Sequence, residues 1–401
     1  MSVPSSDFLI IGGGVIGLSL ALLIKQRYYD SRVTIVEKEK ECGLHGSGRN
    51  SGVLHAGFYY TADSLKARFT RDGNRLMTEY CLDRNLPINQ CGKLVVARNG
   101  DEIPTLEELL RRGEANGVML HELTTAEARE IEPRVKTFEK ALYSPTTSSI
   151  DPKLVIKSFI DDARKAGIAI MTDTAYYGRN GSNVVTSQGK ISAGYVVNAA
   201  GLYADKVAQD YGFSQDYRII PFKGLFLYSD EPQGALKTHI YPVPRLENPF
   251  LGVHFTVTVD GRINVGPTAI PAFWREHYKG LENFNFSELV EIGMRELGLF
   301  IRNDFGFRSL AFEELANYYK PRMVAQAAEL AAGVFPKDYR RWGPAGIRAQ
   351  LINIKQKQLE MDFYYEGDRE SFHVLNAVSP AFTCSLSFSR HIMEQITTYL
   401  N

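Results

Sequence analysis

Cysteine is scarce in this sequence, and its few copies are not arranged to bind a metal. Only four of the 401 residues are cysteine, at positions 42, 81, 91 and 384. They form no Cys-x-x-Cys pair and, with the histidines, no zinc-finger pattern. We therefore expect free thiols in a reducing, cytoplasmic setting, and no metal site.

A net charge and a long apolar run are also missing. Lys plus Arg and Asp plus Glu number 46 each, so no overall field favours nucleic acid as a partner. No apolar run reaches the roughly 18 residues of a membrane-spanning helix. Residues 1–7 lack the charged start of a secretion signal. The length predicts two or three globular domains.

A glycine-rich turn stands between an apolar strand and an apolar helix close to the start of the chain. Residues 8–11 predict a buried strand, residues 12–17 carry Gly-x-Gly-x-x-Gly, and residues 18–24 continue as a helix. Residues 33–36 are rich in β-branched side chains and predict a second, parallel strand. This order makes one βαβ unit, the context in which the motif binds a dinucleotide.

Each glycine of the motif has a physical task. Gly12 permits the tight turn, Gly14 lets backbone amides approach a pyrophosphate, and Gly17 lets the helix pack on the strand. Glu37, at the end of the second strand, is placed to accept hydrogen bonds from ribose hydroxyls. Its charge argues against NADP. The position of the motif near residue 1 suits FAD, and NAD stays open at this point.

The rest of the chain alternates between helical and strand patterns. Residues 195–201 predict a third buried strand, and residues 63–85, 103–117 and 152–166 predict helices. Residues 213–275 predict an antiparallel sheet broken by Pro and Gly turns. Residues 286–335 predict helices, with Ser287 as a helix N-cap.

One segment, residues 43–60 continuing to 64–67, resembles the second signature of the L-2-hydroxyglutarate dehydrogenase/oxidase family. This family belongs to the D-amino-acid-oxidase-like flavoproteins. Further segments resemble the same family and together span almost the whole chain: residues 198–205, 240–244, 249–255, 265–267, 344–350 and 379–383.

The resemblance implies the fold. It predicts an α/β (α+β overall) protein with a Rossmann-like FAD-binding domain of the glutathione-reductase type, interrupted by a β-rich antiparallel-sheet substrate domain. We assign residues 1–85, 148–212 and 342–401 to the FAD-binding domain. Residues 86–147 and 213–341 form the substrate domain, including the helical segment at 286–335.

The resemblance also implies FAD, bound noncovalently, and the residues that hold it. The matching segments place a loop and a helix N-terminus of the C-terminal part beside the flavin ring. The predicted cofactor-binding residues are Gly12, Gly14, Val15, Ile16, Gly17, Glu37, Lys38, Ser47, Asn50, Ser51, Gly52, Val53, Ala200, Gly201, Gly346, Ile347, Pro380, Ala381, Phe382 and Thr383.

The reaction that the resemblance implies is oxidation of a small 2-hydroxy acid, L-2-hydroxyglutarate to 2-oxoglutarate, by hydride transfer from C2 to flavin N5. His55 is the expected base for the hydroxyl proton. Arg348 is expected to hold a substrate carboxylate with its planar fork. The other predicted substrate residues are Tyr60, Lys223, Tyr241 and His254.

Some residues depart from the family pattern and leave other substrates open. Arg49 stands where family members usually carry His, and Lys223 stands where Arg is common. The extra positive charge leaves glycerol 3-phosphate as an alternative substrate, and the fold leaves an amino acid or secondary amine. A non-catalytic FAD-binding protein is the alternative from another class.

The electron acceptor is expected to be oxygen or a membrane quinone. Residues 286–341 mix apolar side chains with eight Lys and Arg residues, such as Arg302 and Arg322. A pair of core-facing helices explains this pattern. Basic amphipathic helices also lie on anionic membrane surfaces, so a peripheral contact with the inner face of a membrane is the alternative.

Overall fold

The computed structural model describes residues 4–246 and 251–401. It divides into two compact units, each made of separate stretches of chain. The first unit holds Met1–Arg49, Pro152–Pro221 and Arg348–Asn401, and the second holds Asn50–Asp151 and Phe222–Ile347.

The strands, in chain order, are β1 (Ser5–Ile11), β2 (Val33–Val36), β3 (Val53–Leu54), β4 (Ile88–Asn89), β5 (Lys93–Val96), β6 (His121–Thr124), β7 (Lys140–Ser144), β8 (Ser148–Ile150), β9 (Ala169–Met171), β10 (Tyr176–Asn180), β11 (Asn183–Thr186), β12 (Gly189–Asn198), β13 (Tyr217–Gly224), β14 (Leu227–Tyr228), β15 (His239–Pro242), β16 (His254–Val257), β17 (Ile263–Gly266), β18 (Ile270–Pro271), β19 (Arg341–Trp342), β20 (Gly346–Asn353), β21 (Gln358–Leu359), β22 (Tyr364–Gly367) and β23 (Ser371–Asn376). The helices are α1 (Val15–Arg27), α2 (Leu65–Asp83), α3 (Ile103–Ala115), α4 (Thr125–Ile131), α5 (Pro152–Lys165), α6 (Ala204–Asp210), α7 (Phe286–Arg302), α8 (Phe307–Ala316), α9 (Lys320–Ala328) and α10 (Ala381–Leu400).

The first unit is built on a sheet whose central strands are parallel. Its order is β10-β11-β12-β1-β2-β9, with β23 beside β12. Strand β1 pairs in parallel with β12 and with β2, and the apolar side chains of these strands are buried. Because the three strands are parallel, their carboxyl ends, after Ile11, Val36 and Asn198, meet at one edge of the sheet.

The predicted third strand, residues 195–201, ends three residues earlier in the structure. Strand β12 ends at Asn198, and a short 3₁₀ turn follows at Gly201–Tyr203. The side chain of Asn198 explains the break, because its Oδ1 accepts from Ala200 N at 3.1 Å and its Nδ2 donates to Ala204 O at 2.8 Å. These bonds stabilise a turn in place of further strand pairing.

The second unit contains a large, mostly antiparallel sheet. Its order is β19-β14-β17-β16-β15-β5-β7-β6. The strands within residues 213–275 pair with one another antiparallel, as predicted, and the pair of β15 with β5 is parallel, with Tyr241 opposite Val95. One face packs on a core that includes Phe255, Met323 and Tyr339.

The units divide the chain at different residues from the predicted domains. Residues 50–85, predicted in the FAD-binding domain, fold within the second unit. Strand β3 pairs with β8 in that unit, and Asn74 Nδ2 of α2 donates to the backbone oxygens of Leu54, His55 and Thr146 at 3.1, 3.2 and 3.1 Å. The remaining predicted boundaries, 148, 213 and 342, stand at 152, 222 and 348 in the structure.

The predicted helical segment at 286–335 is three helices, and its last helix ends at Ala328. Asn303, with φ +56°, and the following 3₁₀ turn separate α7 from α8. The N-cap of α7 is Asn285, whose Oδ1 accepts from Glu288 N at 3.1 Å, and the prediction of Ser287 is wrong. Ser287 lies inside the helix and donates its hydroxyl to Asn285 Oδ1.

All four cysteines carry free thiols. Within the described ranges, 4–246 and 251–401, no helix has the length and hydropathy needed to cross a membrane.

Candidate functional site

The glycine turn joins β1 to α1 with no space for a side chain. A Cβ on Gly12, which has φ +110°, would lie 2.4 Å from Ala199 O, and one on Gly17 would lie 2.0 Å from Gly12 O. Gly14 is the N-cap of α1 and brings no capping side chain. The backbone therefore passes close to both strand and helix, as a phosphate-binding turn requires.

The first turn of α1 is suited to an anion. It contains no acidic residue, and Val15 N donates to Ser47 Oγ at 2.9 Å. A helix N-terminus carries a partial positive charge from its unpaired amides. Gly14, Val15 and Ile16, all near this terminus, are therefore placed to hold a pyrophosphate.

Glu37 follows β2 directly and is buried. Its Oε2 accepts from Gly13 N at 2.8 Å and its Oε1 accepts from Glu39 N at 3.0 Å. The carboxylate thus fixes the glycine turn besides facing the edge where a ribose would lie. Lys38 is half-buried, forms an ion pair with Glu39 and lies 5.6 Å from the ring centroid of Tyr203.

Other predicted cofactor residues lie on the same unit. Ala200 and Gly201 form the turn that follows β12, at the carboxyl edge of the parallel strands. Pro380 is the N-cap of α10, and Ala381, Phe382 and Thr383 make its first turn, which contains no acidic residue.

The remaining predicted cofactor residues belong to the second unit. Asn50 Oδ1 accepts from Gly52 N at 2.9 Å, and Gly52 has φ +73°. Ser51 and Val53 lead into β3, while Gly346 and Ile347 begin β20. Arg348, the next residue of β20, is half-buried and belongs to the first unit.

His55 follows β3 and is half-buried within the second unit. Burial, and then the positive charges of Lys93, His254 and His239, hold its pKa well below the usual range. A histidine with a lowered pKa is neutral near pH 7 and so has a nitrogen that accepts a proton.

Tyr241 and His254 stack on each other in the same unit, with ring centroids 3.7 Å apart. His254 Nδ1 donates to Gly252 O at 2.8 Å. Tyr241 is buried, and burial raises the pKa of its phenol. Tyr60 is half-buried, with Lys66 Nζ 5.9 Å from its ring centroid.

Lys223 lies on β13 with only 3% of its surface exposed. Burial lowers its pKa to about 8. Its charge contributes to the low pKa of His277, about 4, which is mainly caused by burial of that imidazole. Lys223 is therefore a desolvated cation in the second unit, as an anion-binding role requires.

Sequence reasoning missed Lys93. It begins β5 and is fully buried, with Nζ 4.7, 4.5 and 4.8 Å from the ring centroids of Phe58, Tyr59 and Tyr241. Burial lowers its pKa to about 7. The signal in the sequence is a lysine at the head of the apolar run Leu94-Val-Val-Ala97, where period-two alternation puts Lys93 on the buried face of Val95.

His239 was missed as well. It is fully buried, and its pKa is lowered to about 3 by burial and by the charge of Lys93. Its Nδ1 accepts from Val257 N at 3.0 Å, and its Nε2 lies 3.4 Å from Cys91 Sγ and from Ser149 Oγ. This neutral ring ties strands together and is shielded from any ligand.

We call these groups the His55 cluster: His55, Tyr59, Lys93, His239, Tyr241 and His254. Burial is the largest influence on the pKa values of His55 and His239, the charge of Lys93 is the next, and burial alone accounts for the shift at Lys93. Such a set can accept a proton at an imidazole and attract an anion to an ammonium.

The sequence matches the family model described as FAD dependent oxidoreductase (DAO) over residues 7–392. Similar relatives include the mitochondrial L-2-hydroxyglutarate dehydrogenase of Mus musculus, 36% identical over 96% of this chain and 87% of that protein. The L-2-hydroxyglutarate dehydrogenase of Escherichia coli strain K12 is 33% identical over 98% of this chain and 94% of its own.

Solved structures with the same fold are more distant in sequence. An L-alpha-glycerophosphate oxidase from Mycoplasma pneumoniae, with FAD bound, superposes with a TM-score of 0.77 at 23% identity, covering 99% of this chain and 95% of that one. A glycine oxidase from Geobacillus kaustophilus gives a TM-score of 0.74 at 19% identity, with 98% and 95% covered.

Proposed function

Because the chain belongs to the FAD-dependent oxidoreductase family and, within it, to the L-2-hydroxyglutarate dehydrogenases, we infer that it oxidises L-2-hydroxyglutarate to 2-oxoglutarate. Membership confirms the predicted fold class and cofactor, and the enzyme is an FAD-dependent oxidoreductase. The observation that supports an alcohol substrate is His55, an imidazole that burial and the nearby Lys93 keep neutral, so that it has a nitrogen for the hydroxyl proton.

The residues of the first unit fit FAD. The glycine turn and the N-terminus of α1 would hold the pyrophosphate, and Glu37 would hold the ribose. The turn after β12 and the first turn of α10 supply further backbone amides. When bound, FAD accepts the hydride that leaves the substrate carbon.

Oxidation of a secondary alcohol also releases the hydroxyl proton. We assign that proton to His55, whose low pKa keeps a nitrogen available as acceptor. Arg348 would hold one carboxylate bidentately and fix which face of C2 reacts. Lys223, Tyr60, Tyr241 and His254 remain proposed substrate contacts.

The two alternative substrates make different demands. A neutral amine donor carries a free lone pair and needs no base, so His55 supports the hydroxy acid. Glycerol 3-phosphate would use Arg49, whose Nε donates to Leu44 O at 2.8 Å. That bond occupies part of the guanidinium and leaves less of it for a phosphate.

The variant Glu37→Ala tests the assignment of the ribose site. Loss of the carboxylate removes its bonds to ribose and to Gly13 N, so FAD affinity is expected to fall by about 1–3 kcal/mol. Flavin retained after stepwise dilution and filtration measures this. Glu41→Ala, an exposed glutamate four residues on, is the matched control. Equal flavin retention by both variants would remove Glu37 from the cofactor site.

We also propose that α7 and α8 dock on an anionic membrane surface, where a quinone is the electron acceptor. Five exposed apolar side chains of α7 recur every three or four residues and so share one face: Phe286, Val290, Met294, Leu297 and Ile301, each 40–69% exposed. Phe312 and Leu315 of α8 are exposed as well, at 61% and 43%.

Charge supports a membrane as the occupant of this apolar face. Arg308 is exposed at the α7–α8 turn and Arg322 is exposed on α9, while Arg302, exposed at the same turn, pairs with Asp304 at 2.8 Å. An apolar helix face bordered by basic side chains is the pattern of interfacial helices. A face of this size exposed to water is otherwise uncommon in a monomer.

Paired substitutions Met294→Glu and Leu297→Glu test this proposal. Co-sedimentation with vesicles that contain one-third anionic phospholipid is expected to fall at least roughly tenfold, because two apolar side chains no longer enter the lipid. Leu82→Glu, on the exposed side of α2, is the control and should bind like wild type. Binding of the paired variant at the wild-type level, or no binding by wild type, would contradict the proposal.

A further inference from the structure

Two buried hydrogen-bond donors in the His55 cluster have no partner. Lys93 Nζ and Tyr59 Oη are both inaccessible to water and make no hydrogen bond within residues 4–246 and 251–401. They belong to one group, since Nζ lies 4.5 Å from the centroid of the Tyr59 ring. A buried polar atom without a partner costs free energy, so two together call for an explanation.

The aromatic rings account for only part of this arrangement. Phe58, Tyr59 and Tyr241 surround Nζ and attract a cation through their faces, but a ring face is a weak hydrogen-bond acceptor. An ammonium has three N–H donors, and a phenol has one. Burial raises the pKa of Tyr59, so its hydroxyl keeps the proton and stays a donor. Both groups therefore require an acceptor.

In the part of the chain that the structure describes, no negatively charged side chain shifts the pKa of Lys93. The charge of Lys93 acts on the imidazoles of His55 and His239, and Nζ lies against the rings of Tyr59 and Tyr241. Cys91, beside His239, is a thiol whose pKa is raised to about 11 by burial. Burial is the cause of the low pKa of Lys93, and no carboxylate within residues 4–246 and 251–401 offsets it. A buried ammonium is stabilised by an anion that brings its own charge.

We propose that Lys93 and Tyr59 form a carboxylate subsite, which takes the second carboxylate of a dicarboxylic 2-hydroxy acid and so sets the preference for dicarboxylates. This rests on the proposed function, in which Arg348 holds the carboxylate next to C2. The second carboxylate of the substrate then needs its own donors. Lys93 and Tyr59 offer them within the unit that carries His55.

The position of His55 supports access. His55 is half-buried, whereas Lys93 is enclosed behind the rings, and the charge of Lys93 acts on the His55 imidazole. For a substrate whose hydroxyl contacts His55 to reach Lys93, the aromatic side chains around Nζ must move. Lys93 contacts substrate in this account and is a specificity-determining residue.

The variant Lys93→Met keeps the length of the side chain and removes its charge. We expect kcat/KM for L-2-hydroxyglutarate to fall roughly 10- to 100-fold, the loss of a charge-assisted hydrogen bond. L-2-Hydroxyvalerate has the same chain without the second carboxylate, and its kcat/KM should stay within about threefold of wild type. Tyr59→Phe removes one oxygen. It should lower the ratio of kcat/KM for L-2-hydroxyglutarate to kcat/KM for L-2-hydroxyvalerate as well, by a smaller factor of roughly three to ten.

Lys140→Met is the matched control. Lys140 lies on β7, the strand next to β5, and pairs at the surface with Glu122. Its substitution should leave the ratio of the two substrates unchanged. If Lys93→Met does not accumulate as folded holoenzyme, Tyr59→Phe alone decides the outcome.

A binding measurement separates this proposal from the proposed function. Glutarate, which has both carboxylates and no hydroxyl, should raise the melting temperature of wild-type holoenzyme more than valerate does. Lys93→Met should abolish that difference. Wild type that oxidises neither hydroxy acid would overturn the proposed function, and the glutarate measurement would still test the subsite.

An equal fall of kcat/KM for both substrates in Lys93→Met would overturn the subsite, because Lys93 would then act on the base or on the fold. An unchanged glutarate effect in Lys93→Met would overturn it too.

Discussion

Holoenzyme that carries His55→Ala is expected to be reduced by L-2-hydroxyglutarate roughly 10²–10⁴-fold more slowly than wild type, the usual contribution of a general base. Burial, and after it the charge of Lys93, keep the His55 imidazole neutral, so a ring nitrogen is available for the hydroxyl proton as C2 is oxidised. Alanine leaves no acceptor at this place. The cofactor should remain bound, since the glycine turn and Glu37 belong to the other unit.

Stopped-flow reduction at saturating substrate under anaerobic conditions measures this rate. His121→Ala is the control, because His121 is an exposed histidine on β6 of the same unit. A His55→Ala rate within a few-fold of wild type would remove His55 from the mechanism.

The second large effect is expected from Arg348→Lys, which keeps the charge and removes only the planar fork. A lysine attracts a carboxylate as a point charge but does not fix its plane. A small misplacement of C2 costs about 100-fold in rate, so kcat/KM per bound flavin should fall by about that factor. Flavin content and melting temperature should stay near those of wild type.

Measuring kcat/KM per bound flavin beside the melting temperature separates two roles for Arg348. Arg341→Lys, an exposed arginine that pairs with Asp230, is the control for a general effect of the exchange. Normal kinetics with a lower melting temperature would show that Arg348 is a structural tie. The search for the carboxylate ligand would then move to Lys223 and His254.

The fold was predictable where local pattern decides structure. The composition of residues 8–37 predicts a strand, a glycine turn, a helix and a second strand, and the structure has β1, α1 and β2 there. The end of β12 was not predictable from apolar content, because a side-chain bond from Asn198 breaks the strand. The unit boundary at residue 49 depends on bonds between distant residues, such as Asn74 to Thr146.

In the candidate site, too, the residues set by local pattern were predictable and those set by contacts between distant strands were not. Gly12 and Gly17 can be identified from the sequence because a side chain at either position would clash with the backbone of the turn. His55 can be identified as a candidate from the small residues that surround it in the sequence. Lys93 is a lysine inside an apolar strand, and its significance appears only once Phe58, Tyr59 and Tyr241 are seen around it. The parallel pairing of β15 with β5 brings Tyr241 to this place, and period-two patterns do not specify which strands pair.

Anaerobic mixing of the holoenzyme with separate candidate substrates tests the proposed reaction most directly. The panel is L-2-hydroxyglutarate, its D-enantiomer, glycine, L-proline and glycerol 3-phosphate, with flavin absorbance as the readout. We expect L-2-hydroxyglutarate to bleach the flavin, with one 2-oxoglutarate formed for each flavin reduced, and the other compounds to leave the spectrum unchanged. Bleaching by glycerol 3-phosphate or an amino acid, with none by L-2-hydroxyglutarate, would contradict the proposed function.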